Sequence, residues 1–148
     1  MSFFTSEYDC KLDAKGRLAL PSKVKAALPE VNGNELVLRR GFEPCLVLYT
    51  ALEYKKINSR VKSLSEFNDE HRRFQRSFFR GNVDVELDSA GRVNIPKRMM
   101  DFAGLEKEVV LVGMGNRVEI WNPDRYEEYL IQDANEYSQM AERLLADD

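Results

Sequence analysis

Two arginines occupy the same short setting in this chain. Arg17 ends Asp13-Ala14-Lys15-Gly16-Arg17 and Arg92 ends Asp88-Ser89-Ala90-Gly91-Arg92, and a proline, Pro21 or Pro96, stands four residues further on. A guanidinium offers a planar fork of donors that fits phosphate oxygens or the edge of a guanine. Lys15 adds a compact, mobile charge between the Asp and the Gly of the first copy. The chemistry on offer is recognition of a polyanion. Bond-breaking chemistry has no constellation to carry it. His71 is the only histidine and lies among acids and arginines in a helical stretch. Cys10 and Cys45 have no metal-ligand spacing. Gly113-Met114-Gly115 starts like a dinucleotide fingerprint, but Val118 stands where the third Gly belongs and a strand pattern follows. No enzyme, cofactor, metal or small-molecule substrate is expected.

Such arginines need a rigid element to hold them, and the flanking residues describe one. Tyr8, Cys10 and Leu12 alternate with Asp9 and Lys11, and Leu18 and Leu20 alternate with Arg17 and Ala19. Period-two alternation on both sides of a short polar turn reads as a β-hairpin. Asp13 suits the first turn position, where its carboxylate accepts backbone N–H groups. Gly16 suits the position of positive φ in a type I turn followed by a G1 bulge. Val83, Val85, Leu87, Val93 and Ile95 repeat the pattern around the second turn. Lys15 is therefore placed at a tip, with Arg17 on the face opposite Leu18 and Leu20.

The correspondence extends well beyond the turns. Leu36-Val37-Leu38 matches Val109-Val110-Leu111, and Leu46-Val47-Leu48-Tyr49 matches Val118-Glu119-Ile120-Trp121, the offset drifting only from 75 to 72 residues. Pro21 and Pro96 suit the first position of short helices. Ala51 to Ile57 begin a helical stretch, and Ser59 to Phe79 form a second helical region broken near Asn68. Asn122 or Asp124 can cap a final, interrupted helix that reaches Leu144. The plan is β-β-α-β-β-α written twice. It divides the chain into a first repeat at 5–57, a helical connector at 58–80, a second repeat at 81–127, and a C-terminal helix with an acidic tail at 128–148.

With 43% apolar and 32% charged residues the chain reads as soluble and globular. No apolar run approaches the ~20 residues of a membrane span. Met1-Ser2-Phe3-Phe4 lacks the basic start and apolar stretch of a signal peptide. A cytoplasmic location without membrane partners is expected, with both cysteines reduced and half-buried in strands. The net charge of −3 conceals an asymmetry: Lys11 to Lys25 carries a net +4 and Asp124 to Asp148 a net −6. Polyanion binding follows the local patch, so this balance permits DNA. Phe3, Phe4, Phe78 and Phe79 look exposed and exceed what two small half-domains need, which points to a subunit interface.

On the paired Asp-x-x-Gly-Arg turns, the following prolines and the Glu-Val-Val-Leu-Val-Gly and Glu-Ile-Trp strands of the second half, the chain resembles the MraZ family of bacterial transcriptional regulators, of the SpoVT-AbrB class. The resemblance covers nearly the whole chain. It implies a mixed β/α, mainly β fold: a double-split, swapped-hairpin β-barrel made from two tandem SpoVT-AbrB-like repeats with flanking helices. It implies a homo-oligomeric ring, nucleoid association, and repression of the cell-division and cell-wall operon through repeated boxes in double-stranded promoter DNA. The family's DNA-contacting motif falls on Asp13, Lys15, Gly16 and Arg17. Lys11, Lys23 and Arg92 complete the candidate DNA-binding set. The second turn departs from the first, with Ala90 in place of Lys15 and with Asp84 and Glu86 on the strand before Arg92. Arg17→Ala is therefore expected to abolish specific binding, and Arg92→Ala to weaken it tenfold or less. The rival reading is a protein-interaction module, such as an AbrB-fold antitoxin whose acidic tail binds a partner.

Overall fold

The computed structural model describes residues 3–146. The first half comprises β1 (Glu7–Lys11), β2 (Arg17–Ala19), α1 (Ser22–Ala26), β3 (Glu35–Arg40), β4 (Leu46–Thr50), α2 (Ala51–Lys62) and α3 (Asp69–Phe79). The second comprises β5 (Val83–Glu86), β6 (Arg92–Asn94), α4 (Lys97–Ala103), β7 (Glu108–Gly113), β8 (Val118–Trp121), α5 (Pro123–Glu128) and α6 (Ala134–Leu144). The doubled plan is the one read from the sequence, with one extra helix closing each half. Asn68 starts α3 by accepting the His71 amide, which explains the break expected there. Asn122 caps α5 and Asp133 caps α6, so the interrupted final helix is two separately capped ones. Pro21 and Pro96 occupy the cap positions of α1 and α4, one residue before the expected place.

Each turn's two arms part company. β1 pairs with β7 of the other repeat, and β5 pairs with β3, giving a six-stranded antiparallel sheet in the order β1-β7-β8-β4-β3-β5. β2 leaves the sheet and pairs with β6 as a separate two-stranded ribbon. Across the first turn the ladder between its arms is reduced to a Leu12–Leu18 bridge and an Asp13 N–H bond to the Arg17 carbonyl at 3.0 Å. The local hairpins expected from the sequence are thus exchanged ones. Alternation fixes which face of a strand is buried but leaves its neighbour open. The sheet keeps β1 and β5 as edges and is not closed into a barrel.

The two faces of the sheet explain its uninterrupted apolar runs. Leu36, Leu38, Leu46, Leu48, Leu111 and Ile120 point to one face and pack with Leu18, Leu20, Val93 and Ile95 of the ribbon, Val24 of α1 and Met99 of α4. Val47, Tyr49, Val110, Val112 and Trp121 point to the other and pack with Tyr126 of α5 and with Tyr54 and Ile57 of α2. Successive strand residues face opposite sides, so burial on both sides demands apolar residues throughout.

Three expectations are corrected by burial. Phe4 is buried, bridging Gly115, and Phe78 is buried in the root of α3, whereas Phe3 and Phe79 are exposed. Cys45 is fully buried in the turn before β4, while Cys10 is the half-buried strand residue. Burial pushes the Cys45 thiol up to about 12 and raises that of Cys10, so both are protonated thiols at neutral pH. Asp147 and Asp148, the end of the acidic tail, lie outside the described residues.

Candidate nucleic-acid interface

The two turns are built bond for bond alike. Asp13 Oδ1 accepts the amides of Lys15 and Arg17, each at 2.9 Å, and Asp88 Oδ1 accepts those of Ala90 and Arg92 at the same distances. The Gly16 and Gly91 amides close the turns on the Asp13 and Asp88 carbonyls. Both glycines have left-handed φ, +78° and +74°, which L side chains rarely adopt. Arg17 Nε meets Asp13 Oδ2 at 2.7 Å, and Arg92 Nε meets Asp88 Oδ2 at 2.9 Å. Both carboxyls are held below the usual aspartate range, first by the backbone amide of the following arginine and then by its side chain. Such exposed pairs are weak in water, so each guanidinium can exchange its aspartate for a phosphate or base edge.

The ribbon joins the turns into one surface. Arg17 stands opposite Asn94 and Ala19 opposite Arg92, an arrangement with approximate two-fold symmetry. The Ile95 amide donates to the Gly16 carbonyl at 2.9 Å, and the Leu20 amide donates to the Gly91 carbonyl at 3.1 Å. Each turn glycine is therefore tied to the other repeat. Arg92 Nη1 also lies 3.9 Å from Asp13 Oδ2. The acids that hold Arg92 are the two turn aspartates. Asp84 and Glu86, expected beside it, belong to β5 in the main sheet, where Glu86 stands opposite Glu35, and no ion pair joins them to Arg92 among the described residues.

The remaining candidates separate. Lys15 is exposed at the first tip, and Arg17 and Arg92 are half-exposed on the ribbon. Lys11 lies at the end of β1, opposite Glu108 of β7. Lys23 borders a groove with Phe3, Phe4 and Tyr8, away from the second turn. Two helix positions point to nearly opposite sides, so Lys25 goes the other way. A Cβ built on Gly91 would stand 2.9 Å from both Lys25 Cδ and Nζ. Lys25 therefore lies along the turn whose own lysine is replaced by Ala90. The equivalent contact in the first turn is Met100 Sδ, 3.2 Å from a Cβ on Gly16. Lys25 belongs to the basic stretch from Lys11 to Lys25 but not to the DNA-binding set expected from the sequence. Its signal was the 75-residue offset, which aligns Lys25 with Met100 while Lys15 aligns with Ala90.

Fold and ribbon define a class: tandem-repeat proteins that exchange strands between their halves so that two Asp-x-x-Gly-Arg turns share one surface. The family model described as "MraZ protein, putative antitoxin-like" matches the chain twice, at residues 3–77 and 78–148. A protein of Cytophaga hutchinsonii named transcriptional regulator MraZ is 57% identical over 146 residues, covering 99% of this chain and 97% of that protein. The chain belongs to the MraZ family, a family of transcriptional regulators and not of enzymes. Among the described residues no helix is long and apolar enough to cross a membrane.

Proposed function

We propose that this chain is a sequence-specific DNA-binding regulator, acting as a repressor of the cell-division and cell-wall operon by binding repeated promoter boxes. The observation that carries the reading is the shared ribbon. Arg17, Lys15, Arg92 and Lys25 bring four cations to a surface whose turn acids, Asp13 and Asp88, are two. Lys11 and Lys23 flank it as phosphate contacts, and Gly16 supplies the left-handed turn that sets Lys15 and Arg17 at the tip. In this reading 5–57 and 81–127 supply the turns, 58–80 connects them, and 128–148 extends from the body. The ribbon would cover the open side of the six-stranded sheet as a double-split, swapped-hairpin barrel. One ribbon covers little of a duplex, so the working form is a homo-oligomeric ring at the nucleoid. A ring whose spacing matches that of the boxes gains on the order of 10²–10⁴-fold by avidity.

The test is a titration of promoter DNA at several salt concentrations. The log–log slope should be about −0.9 per phosphate neutralised. Tight binding with a slope near zero would remove the reading. A second reading, an antitoxin-like module that holds a partner through its acidic C-terminal helix, is favoured by one observation: no residue of α6 is buried.

A further inference from the structure

The two helices that end the repeats have opposite fates. Phe78 of α3 is buried, and the Arg39 guanidinium, itself 2% exposed, lies 4.4 Å from the centre of its ring. Gln75 ties α3 to the end of α2 by donating to the Val61 carbonyl at 3.0 Å. Its counterpart α6 is capped at Asp133 and fully formed, yet none of its residues is fully buried and only Met140 and Ala141 are partly covered. Tyr137, Met140, Ala141 and Leu144 fall at helical spacing on one side of α6, with Tyr137 63% and Leu144 68% exposed. An amphipathic helix whose apolar stripe faces water has not met its partner.

A matching surface lies beside α3. The loop after α2 and the outer side of α3 enclose an open groove of about 630 Å³ with Leu64 and Phe79 as its apolar lining. Lys62, Arg72 and Arg76 rim it with one acid, Glu66, among the lining residues, and Arg72 also pairs with Asp69 at 3.5 Å, which leaves Lys62 and Arg76 as its unpaired cations among the described residues. Across α6, Asp133 and Glu136 stand at the start of the apolar stripe, and Glu136 forms no ion pair among the described residues. The groove sets two apolar residues within a mainly cationic rim; the helix sets an apolar stripe beside an acidic flank. This is the complementarity of a helix laid in a groove.

We propose that α6 of one copy docks into the α2–α3 groove of a second copy of this chain. The proposal rests on the oligomeric part of the reading above and names its contact. A second copy is favoured over an unrelated protein because each chain carries both halves of the fit in equal number. The contact is heterologous: every copy offers a helix to one neighbour and a groove to another, so copies add in series until the series closes.

Light scattering with three full-length proteins tests it. The unaltered chain should give several times 17.1 kDa. The helix-face variant Tyr137→Asp/Leu144→Asp and the groove variant Lys62→Glu/Arg76→Glu change exposed residues only, and each should fall to a single chain with unchanged circular dichroism. Mixed in equal amounts, they retain one sound helix and one sound groove between them. They should therefore form pairs of twice the chain mass and nothing larger. Variants that keep the mass of the unaltered assembly would overturn the contact while leaving the assembly standing. An unaltered chain of single mass would overturn both. Single-mass variants that fail to pair when mixed would overturn the copy-to-copy contact and leave α6 to a different protein.

Discussion

The first and second turns share every backbone bond that shapes them and differ in the source of their second cation. The first carries Lys15 on its own tip, with Met100 of α4 beneath Gly16. The second carries Ala90 on its tip, and Lys25 of α1 crosses from the other repeat to lie along Gly91. A count of charges along each hairpin makes the second turn the poor partner for a polyanion. The tertiary arrangement returns a lysine to it. The lesson is that the charge around a duplicated turn belongs to the surface the copies share, and a lysine absent from one tip can be supplied by the element that packs against it.

Substitution of the arginines should produce the largest effect on this comparison. Arg17→Ala is expected to abolish specific binding. Strand charges alone set the expectation for Arg92→Ala at tenfold or less; its place on the shared ribbon beside both turn aspartates raises it to at least tenfold, about 1.4 kcal/mol. Paired titrations on one promoter fragment, with circular dichroism and sizing as controls, check this. A loss of less than threefold for Arg92→Ala would leave the first turn as the one that reads DNA.

The lysines sharpen the comparison further. Lys15→Ala and Lys25→Met should each flatten the salt slope by about one, with affinity falling several-fold at fixed salt. Ala90→Lys should then recover the loss in the Lys25→Met protein, because it places a lysine on the tip that Lys25 serves. Lys23→Ala faces a different groove and should change neither quantity as much. Equal effects of Lys23→Ala and Lys25→Met would show that the basic stretch acts as a diffuse field.

The glycines separate stability from binding. Gly16→Ala and Gly91→Ala both force a side chain into the left-handed region, at about 1–2 kcal/mol. Gly16→Ala should be the costlier in thermal unfolding, since its Cβ meets the Ile95 carbonyl at 3.3 Å as well as Met100. At Gly91 only the end of Lys25 must move. Gly91→Ala should therefore keep more stability yet lose binding by displacing that lysine.

The smallest difference concerns the aspartates. Both titrate below the usual range, so the stability they lend the turns is present above the pKa of an unfolded aspartate and is lost as pH falls through their lower folded values. Asp13 also has Arg92 within 3.9 Å, and it should titrate the lower of the two. Carboxyl NMR shifts followed from neutral to acidic pH would show the order, and a higher value for Asp13 would discount the cross-turn contact.

Much of this protein was set by its sequence alone. The Asp, Gly and Arg of each turn determine local geometry through contacts spanning at most four residues, and these are legible without a fold. The twofold plan of strands and helices followed from periodicity and a fixed offset. The apolar runs of β3, β4 and β7 were legible as strands, and that both of their faces are covered was decided by the fold. Strand partnership was decided only by the tertiary structure, because a strand's alternation is satisfied equally by any neighbour that buries the same face. That choice sends β2 to β6, sets Arg92 beside Asp13, and lays Lys25 along Gly91. It also separates Phe4 and Phe78, which are buried, from Phe3 and Phe79, which are not. The fate of α6 depends on tertiary structure for the same reason: an amphipathic pattern specifies that a face must be covered, and only the arrangement of the whole chain decides what is within reach to cover it.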